Sequence, residues 1–423
     1  MKKIALLFPG QGSQYVGMGK NLYENYPEAR ELFGEASEVL GFDLKKLCFE
    51  GDIAELTKTE NTQPAILTVS VAAFKAYMSE FGEEPAYLAG HSLGEFSALV
   101  CAGAIKFQDA VSIVRSRGRF MQEAVPQGIG AMAAVSGINK EEIEAVCKKF
   151  SDNDRMVVIS NYNSPGQIVI SGHTTAVNGA GDELKKSGAR VIPLKVSAPF
   201  HSPLMQPAAD KLREELQKYA YSHLKWDVVS NVTALPYDGY EYIVDCLYQQ
   251  IIKPVRWIES MKYLEAQGVN LAIELGPQTV LRNLMKNNTS SINTFSYDQE
   301  EDIKNLGEAL SIIPVKVQDC IEMRMKLITR CLAIAVCTKN NNWDNDEYQN
   351  GVIKPYKKVK QMQEDMEIAG NEPTIEQMQE ALNMLKSVFA TKKTPLEEQN
   401  SRFDQLFKET GLKHLFSDKD FSA

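Results

Sequence analysis

Short apolar runs alternate with amphipathic stretches over the first 125 residues. Ile4–Phe8 and Ala86–Ala89 have the continuous apolar pattern of buried strands, and Pro27–Leu40 repeats apolar residues at helical spacing. The same alternation returns after residue 198, where Leu271–Glu274 is another strand pattern. Strands that alternate with helices are typical of a mostly parallel sheet covered by helices. The sequence therefore predicts an α/β fold.

A different pattern occupies the middle of the chain. Its elements follow in the order strand, helix, strand, strand, helix, strand, which is the split βαβ order of the ferredoxin-like motif. The predicted elements are strands Ile129–Ser136, Met156–Asn161, Gln167–Ser171 and Arg190–Val196, and helices Lys140–Phe150 and Thr174–Lys186. We therefore predict one large domain from residues 1–125 and 198–310, with a ferredoxin-like subdomain inserted at residues 126–197.

The last 113 residues, 311–423, have the pattern of a helical C-terminal extension. An Asn-rich polar stretch near residues 338–355 predicts a linker or exposed loop. Capping boxes and a proline at a first helical position predict where two helices begin. The helical segments and caps are Val315–Cys337, Thr374 with Gln377, and Thr394-Pro395 with Glu397.

Composition narrows the class of protein. The net charge is −9, from 46 basic and 55 acidic side chains, so binding of nucleic acid through bulk charge is not expected. Seven scattered cysteines without a CxxC pair predict neither a disulfide framework nor a metal site, and they fit a reducing compartment. The first apolar run stops at Pro9–Gly12, too early for a signal peptide. The expectation is a soluble cytoplasmic protein.

Ser92 is the first candidate for chemistry. It is the centre of Gly90-His91-Ser92-Leu93-Gly94, a G-x-S-x-G motif between a predicted strand and a predicted helix. In that context the two glycines allow a sharp turn that raises the serine above the sheet. The alternative is a surface turn that matches the motif by chance.

A serine nucleophile needs a base, and the chain has five histidines. His91 adjoins Ser92, but a sharp turn would point its side chain away. His201 is the best candidate because it lies in a rigid loop between Pro199 and Pro203, after a strand and before a helix. A capping or surface role for His201 is the alternative.

Six motifs in a fixed order are similar to the malonyl-CoA:acyl carrier protein transacylase family. The resemblance covers roughly residues 1–310 with the spacing between motifs intact. The motifs are Pro9–Gln14, Thr62–Ala65, Gly90–Glu95, Arg115–Gly118, Asn163–Gln167 and Phe200–Ser202. The family implies an α/β-hydrolase-like large domain with a ferredoxin-like insertion, in agreement with the order of elements above.

The resemblance also implies roles for individual residues. Ser92 matches the nucleophile and His201 the general base, oriented by a backbone carbonyl at Gln250. Gln11 and Leu93 match the two backbone N–H donors of the oxyanion hole. Loop capping for Gln11 and a helix-surface amide for Gln250 are the alternatives that the pattern alone leaves open.

Arg117 matches the family's arginine that holds the free carboxylate of a malonyl group. A planar guanidinium offers the two parallel donors that a carboxylate accepts. Phe200 matches a position whose bulk disfavours a branched acyl group, with core packing as its alternative. The other substrate-binding positions implied by the family are His91, Gln63, Asn161 and Asn163.

The resemblance implies transfer of a malonyl group from malonyl-CoA to the phosphopantetheine thiol of an acyl carrier protein, through a serine ester and without a bound cofactor. Fatty-acid or polyketide synthesis is the expected setting, and the extension favours a trans-acting polyketide or hybrid type. Two other functions remain open. One is a hydrolase that clears acyl groups from carrier proteins, and the other is a non-catalytic scaffold that docks them.

Overall fold

The computed structural model describes residues 2–126, 128–194, 196, 198–310 and 321–416. They form two compact units. The first unit contains the described residues among 1–22, 28–78 and 82–310, and the second contains Tyr23–Pro27, Ser79–Phe81 and residues 321–416. The beginning of the predicted helix Val315–Cys337 lies outside the described residues.

The elements within the described residues confirm an α/β chain with a helical C-terminal region. The strands are β1 (Ile4–Phe8), β2 (Tyr87–Gly90), β3 (Gly130–Ser136), β4 (Val157–Ser164), β5 (Gln167–His173), β6 (Arg190–Pro193), β7 (Asp227–Val229), β8 (Leu271–Glu274) and β9 (Asn293–Ser296). The helices before residue 310 are α1 (Lys20–Asn25), α2 (Pro27–Leu40), α3 (Leu44–Glu50), α4 (Ile53–Thr57), α5 (Thr59–Glu80), α6 (Leu93–Cys101), α7 (Phe107–Glu123), α8 (Lys140–Lys149), α9 (Thr174–Lys186), α10 (Gln206–Leu216), α11 (Ile243–Ile252), α12 (Trp257–Ala266), α13 (Val280–Asn288) and α14 (Glu300–Leu310). The later helices are α15 (Ile321–Cys337), α16 (Asn345–Tyr348), α17 (Lys354–Ala369), α18 (Ile375–Thr391) and α19 (Leu396–Thr410).

The larger sheet of the first unit has five parallel strands in the order β7-β2-β1-β8-β9. Its central strand β1 is fully buried, because helices cover both faces of a parallel sheet. Leu7 pairs with Ala89 on one side and with Glu274 on the other. The edge strand β9 is absent from the sequence-based prediction, because Asn293 and Thr294 break its apolar pattern.

The smaller sheet is antiparallel, with strand order β4-β5-β3-β6. The chain passes through β3, α8, β4, β5, α9 and β6, the order that the sequence predicts. Ile143 of α8 and Leu184 of α9 are buried in one cluster with Ile170 of β5, so the two helices cover one face of this sheet. Strand β4 runs three residues beyond its predicted end at Asn161 and therefore includes Asn163.

Backbone hydrogen bonds attach β4 to the loop after α11. The N–H of Tyr162 donates to the carbonyl of Val255, and the N–H of Val255 donates to the carbonyl of Ser160, both at 2.9 Å. Asn161 and Val255 thus form a parallel bridge. The smaller sheet is thereby fixed to the segment that follows Gln250.

The second unit has its own apolar core. The predicted stripe of α18 is buried in it, including Met378, Leu382 and Phe389, together with Leu406 and Phe407 of α19. Thr374 and Gln377 form the predicted capping box at the start of α18. No helix among the described residues has the length and apolar character needed to span a membrane.

Two predictions in this region need correction. Residues 339–344 of the predicted linker near 338–355 lie in no helix or strand, but the rest is helical from Asn345. The Asp344 side chain accepts the N–H groups of Asp346 and Glu347 and so begins a helix there. Thr394 does not cap α19, because Pro395 takes the N-cap position and the helix begins at Leu396.

The turn between β2 and α6 brings Ser92 to the carboxyl edge of the larger sheet. Ser92 has φ 52° and ψ −104°, a strained conformation for a residue with a side chain. A Cβ on Gly90 would lie 1.9 Å from the carbonyl carbon of Gly94, and one on Gly94 would lie 1.9 Å from the carbonyl oxygen of Phe8. The flanking glycines are therefore required by the close approach of three backbone segments.

We expect Gly94→Ala to lower the free energy of unfolding by roughly 3 kcal/mol, because the added methyl group meets a backbone atom that cannot move aside. Gly34→Ala is the matched control, since a Cβ there meets nothing within 4 Å and Gly34 lies inside α2. It should raise stability by about 0.5–1 kcal/mol. Denaturant unfolding of the first unit measures both, and equal effects of the two substitutions would contradict this account of the turn.

Candidate active site

Ser92 and His201 are in direct contact. Ser92 Oγ lies 2.8 Å from Nε2 of His201, and Nδ1 of the same ring lies 2.7 Å from the backbone oxygen of Gln250. A carbonyl oxygen only accepts, so Nδ1 carries the proton and Nε2 is free to accept from the serine hydroxyl. His201 is buried and has φ 56°, so the loop holds the ring in a strained but fixed position. The structure thus brings together the predicted serine, histidine and carbonyl.

Asn231 ties the serine turn to the neighbouring strand. Its Oδ1 accepts the N–H of Ser92 at 2.7 Å, and its Nδ2 donates to the carbonyl of Gly90 at 2.7 Å. Sequence reasoning missed this residue. Its position two residues after β7, which pairs with β2, is the available signal, because the carboxyl ends of parallel strands meet at one edge.

The guanidinium of Arg117 is buried beside the nucleophile, with only 1% of the residue exposed. One terminal nitrogen donates to Gln63 Oε1 at 2.9 Å. The other donates to Ser92 Oγ at 3.1 Å and to Gln250 Oε1 at 2.9 Å. Helix α7 supplies the arginine and helix α5 the glutamine Gln63.

Arg117 is a cation without a direct anionic partner among the described residues. Its Nε has no hydrogen bond there, and the guanidinium carbon lies 5.3 Å from the ring centre of Phe96. Burial lowers the pKa of Arg117 to about 9, so the side chain is still protonated at neutral pH. Arg117 is therefore a buried positive charge and not part of the solvated face of α7.

The electrostatics keep His201 neutral. Burial, together with the positive charge of Arg117, lowers the pKa of His201 to about 3. A lowered pKa means that the ring releases its proton at lower pH, so Nε2 is available as a base throughout the neutral range. The hydrogen bond to the Gln250 carbonyl acts in the opposite direction but is the smaller effect.

Behind Gln250 lies a carboxylate that sequence reasoning did not single out. Glu95 is fully buried and accepts the Gln250 Nε2 donor at 2.6 Å. It also accepts the Tyr237 hydroxyl at 2.5 Å and the N–H of Asn231 at 3.2 Å. The available signal was an acidic residue within the otherwise apolar or small sequence of α6.

Two backbone N–H groups at the predicted oxyanion-hole positions, Gln11 and Leu93, are without a hydrogen-bond acceptor in the part of the chain that the structure describes. Leu93 is the first residue of α6, where a backbone N–H has no acceptor within its own helix. The Gln11 side chain donates to Thr59 Oγ1 at 3.3 Å, which holds its loop.

The other predicted substrate-binding residues make no hydrogen bond to Ser92 or Arg117 within the described residues. His91 Nε2 lies 2.8 Å from Asn163 Oδ1, and its ring packs on Trp257. Asn161 Oδ1 accepts from Ser160 at 2.7 Å. Phe200 is buried next to His201. No set of His, Cys, Asp or Glu side chains among the described residues is grouped to hold a metal ion.

A serine turn at the edge of a parallel sheet, paired with a neutral histidine, is the arrangement of an enzyme that forms an acyl-serine ester. The comparisons agree. The profile of the acyl transferase domain family matches residues 5–314. A Bacillus subtilis protein named malonyl CoA-acyl carrier protein transacylase is 39% identical over 399 residues, which are 94% of this chain and 99% of the relative.

Other relatives match a smaller share of this chain while being covered almost completely themselves. A second Bacillus subtilis transacylase of the same name is 49% identical over 305 residues, covering 72% of this chain and 96% of its own. The Coxiella burnetii malonyl CoA-acyl carrier protein transacylase has a TM-score of 0.71 at 41% identity, covering 73% of this chain and 98% of that one.

A further solved structure contains a partner. It is a malonyl-transacylase in complex with its type II PKS acyl-carrier protein, with a TM-score of 0.70 at 43% identity over 73% of this chain and all of that one. The chain belongs to the acyl transferase domain family.

The charge of Arg117 predicts a measurable change in the titration of His201. We expect Arg117→Met to raise the pKa of His201 above 3, though not to its ordinary 6.5, because burial remains the larger effect. Arg115→Met is the matched control on the same helix, since that guanidinium contacts Glu60 and Asn61 instead. NMR titration of ring-labelled histidine, assigned with His201→Gln, measures the pKa. The same value in Arg117→Met and in the unmodified chain would refute the electrostatic coupling.

Proposed function

We propose that this chain transfers a malonyl group from malonyl-CoA to the phosphopantetheine thiol of an acyl carrier protein. The observation that carries the proposal is the buried Arg117 guanidinium in contact with Ser92 Oγ. A buried cation without an anionic partner favours a substrate that brings its own negative charge. The names of the relatives give the same substrates.

In the first half-reaction, His201 Nε2 removes the proton of Ser92 as Oγ attacks the thioester carbon of malonyl-CoA. The oxyanion of the tetrahedral intermediate is stabilised by the N–H groups of Gln11 and Leu93. When the intermediate collapses, the carbon–sulfur bond breaks and CoA leaves with the proton held by His201. A malonyl ester of Ser92 remains.

The second half-reaction reverses these steps with another thiol. His201 removes the proton of the phosphopantetheine thiol, whose sulfur attacks the ester carbon, and the proton then passes to Ser92 Oγ. The acyl group is conserved as a thioester, so side chains and two thiol carriers are sufficient for the chemistry and no bound cofactor is required.

Arg117 would hold the malonyl carboxylate through the two donors of its planar group. Gln63 keeps one terminal nitrogen in place at 2.9 Å. The bulk of Phe200 would disfavour acyl groups with a branch. Discrimination by pocket shape alone is weak, so this preference should be smaller than the preference that the charge of Arg117 gives for malonyl. His91, Asn161 and Asn163 would shape the wall contributed by the smaller sheet.

Fatty-acid or polyketide synthesis in the cytoplasm is the proposed setting. The proposed domains are a catalytic domain at 1–125 and 198–310, an inserted subdomain at 126–197 and an extension at 311–423. A relative that matches 94% of the chain includes the extension, whereas others match only about 72%. We infer that the longer form is a distinct type, suited to trans-acting supply of an assembly line.

The function is tested by incubation with malonyl-CoA and then with a phosphopantetheinylated carrier protein, followed by intact mass. We expect a malonyl adduct on Ser92, none on Ser92→Ala, and transfer to the carrier with CoA release in proportion. A hydrolase would instead release CoA continuously without a carrier, and a scaffold would form no adduct.

The same assay distinguishes a role of Arg117 in binding the malonyl carboxylate from a loss of overall catalytic activity. Arg117→Met should lower the acylation rate with malonyl-CoA by about a hundredfold, the order expected for loss of a charge-assisted contact. The rate with acetyl-CoA should fall much less, and Arg115→Met should change neither ratio nor rate. An unchanged preference for malonyl in Arg117→Met would exclude the carboxylate contact.

A chain that ends at residue 320 should still form malonyl-Ser92, because the residues of the site all lie in the first unit. We expect its acylation rate to remain within about threefold of the full chain, a modest change on the free-energy scale. Intact mass after incubation with malonyl-CoA measures the rate. A soluble truncated chain that forms no adduct would show that the second unit is needed for chemistry.

A further inference from the structure

We propose that Glu95 is a positioning residue which, through the side-chain amide of Gln250, sets the location of the Arg117 guanidinium and hence the preference for carboxylated acyl groups. This inference rests on the proposed function. Glu95 makes no hydrogen bond to Ser92 or Arg117 within the described residues. Its negative charge acts to raise the pKa of Arg117, against the larger effect of burial. The hydrogen-bonded path from Glu95 to the guanidinium passes through one intermediate side chain, Gln250.

The orientation of the Gln250 amide is determined by its partners. Nε2 donates to Glu95 Oε2 at 2.6 Å and to the backbone oxygen of Ser92 at 2.9 Å, and both of these atoms only accept. Oε1 is therefore turned toward Arg117, from which it accepts at 2.9 Å. If the Gln250 amide were reversed, its NH₂ group would face the Arg117 guanidinium. Two donors would then face each other without an acceptor between them.

The carboxylate is itself fixed from two sides. Oε2, which receives Gln250 Nε2, also accepts the N–H of Asn231 at 3.2 Å. Oε1 receives the Tyr237 hydroxyl at 2.5 Å. The Tyr237 hydroxyl at Oε1 can either donate or accept, so a proton on Glu95 can be held at Oε1 while Oε2 continues to accept from Asn231 and Gln250. Burial raises the pKa of Glu95, yet the orientation of Gln250 does not depend on its charge.

Two substitutions of Glu95 separate its role as a hydrogen-bond acceptor from its negative charge. In Glu95→Gln the amide oxygen can occupy the Oε2 position, and the NH₂ group can donate to the Tyr237 oxygen. This variant keeps the acceptor for Gln250 and loses only the charge. In Glu95→Leu the shorter of the two acceptor contacts of Gln250 Nε2 is lost and only the Ser92 backbone oxygen remains, so the orientation of the Gln250 amide is held less firmly.

The test measures acylation rates of Ser92 with malonyl-CoA and with acetyl-CoA by intact mass, and compares their ratio. We expect Glu95→Leu to lower the malonyl-to-acetyl ratio by about tenfold or more, the order of a hydrogen bond to a charged group. Glu95→Gln should keep the ratio of the unmodified chain. Tyr237→Phe is the matched control, because it removes a donor to the other carboxylate oxygen and should keep the ratio.

Gln250→Met provides a second route that leaves the backbone carbonyl to His201 in place. It should lower the ratio at least as much as Glu95→Leu, and the double variant should lower it no further than Gln250→Met, since both substitutions act through one contact. If Glu95→Leu does not fold, the ratio in Gln250→Met decides the proposal on its own.

Equal loss of both rates in the folded variants, with an unchanged ratio, would show a merely structural role and overturn the proposal. Loss of the ratio in Glu95→Gln would also overturn it, because charge rather than orientation would then be responsible. An unmodified chain that forms no malonyl ester would instead refute the proposed function, so the two failures are distinguishable.

Discussion

The strained backbone of Ser92 is the constraint on which the rest of the site depends. A φ of 52° at a residue with a side chain costs about 1–3 kcal/mol and persists only where the surroundings enforce it. Gly90 and Gly94 permit the close approach of β1, β2 and α6, and Asn231, two residues after β7, accepts the N–H of Ser92. Three parallel strands and one helix therefore determine where a single hydroxyl group lies.

Two side chains next to the Ser92 hydroxyl, Arg117 and His201, differ in charge: the first is a cation and the second is neutral. Arg117 is buried without an ion pair within the described residues, and His201 is kept uncharged beside it. Burying a cation without a hydrogen-bonded anionic partner costs stability, and the negative charge of Glu95 offsets the effect of burial on the pKa of Arg117 only in part. Under the proposed function the substrate supplies the anion that pairs with Arg117. Binding of the substrate then relieves the cost of burying this cation in the free enzyme.

Local patterns in the sequence were sufficient for elements whose signal is local. Ile4–Phe8 and Leu271–Glu274 were predicted with their observed bounds because every residue in them is apolar except Glu274, and the turn at Ser92 because its glycines are sterically required. Glu95 and Asn231 were missed because their contacts join residues 136 and more positions apart. Gln250 came only from family resemblance, since an amide near a helix end has no distinctive pattern. The start of α19 was misplaced because a proline can serve as either a first helical residue or a cap.

The bridge between β4 and Val255 has a consequence for how the molecule can move. Its two hydrogen bonds use only main-chain atoms. Both involve Val255, which lies shortly after Gln250 and the end of α11. Exchange of side chains cannot remove such bonds; only an imino acid at Tyr162 or Val255 would. The smaller sheet is consequently tied by main-chain hydrogen bonds to the segment that orients His201, and substitutions of side chains along β4 leave this attachment in place.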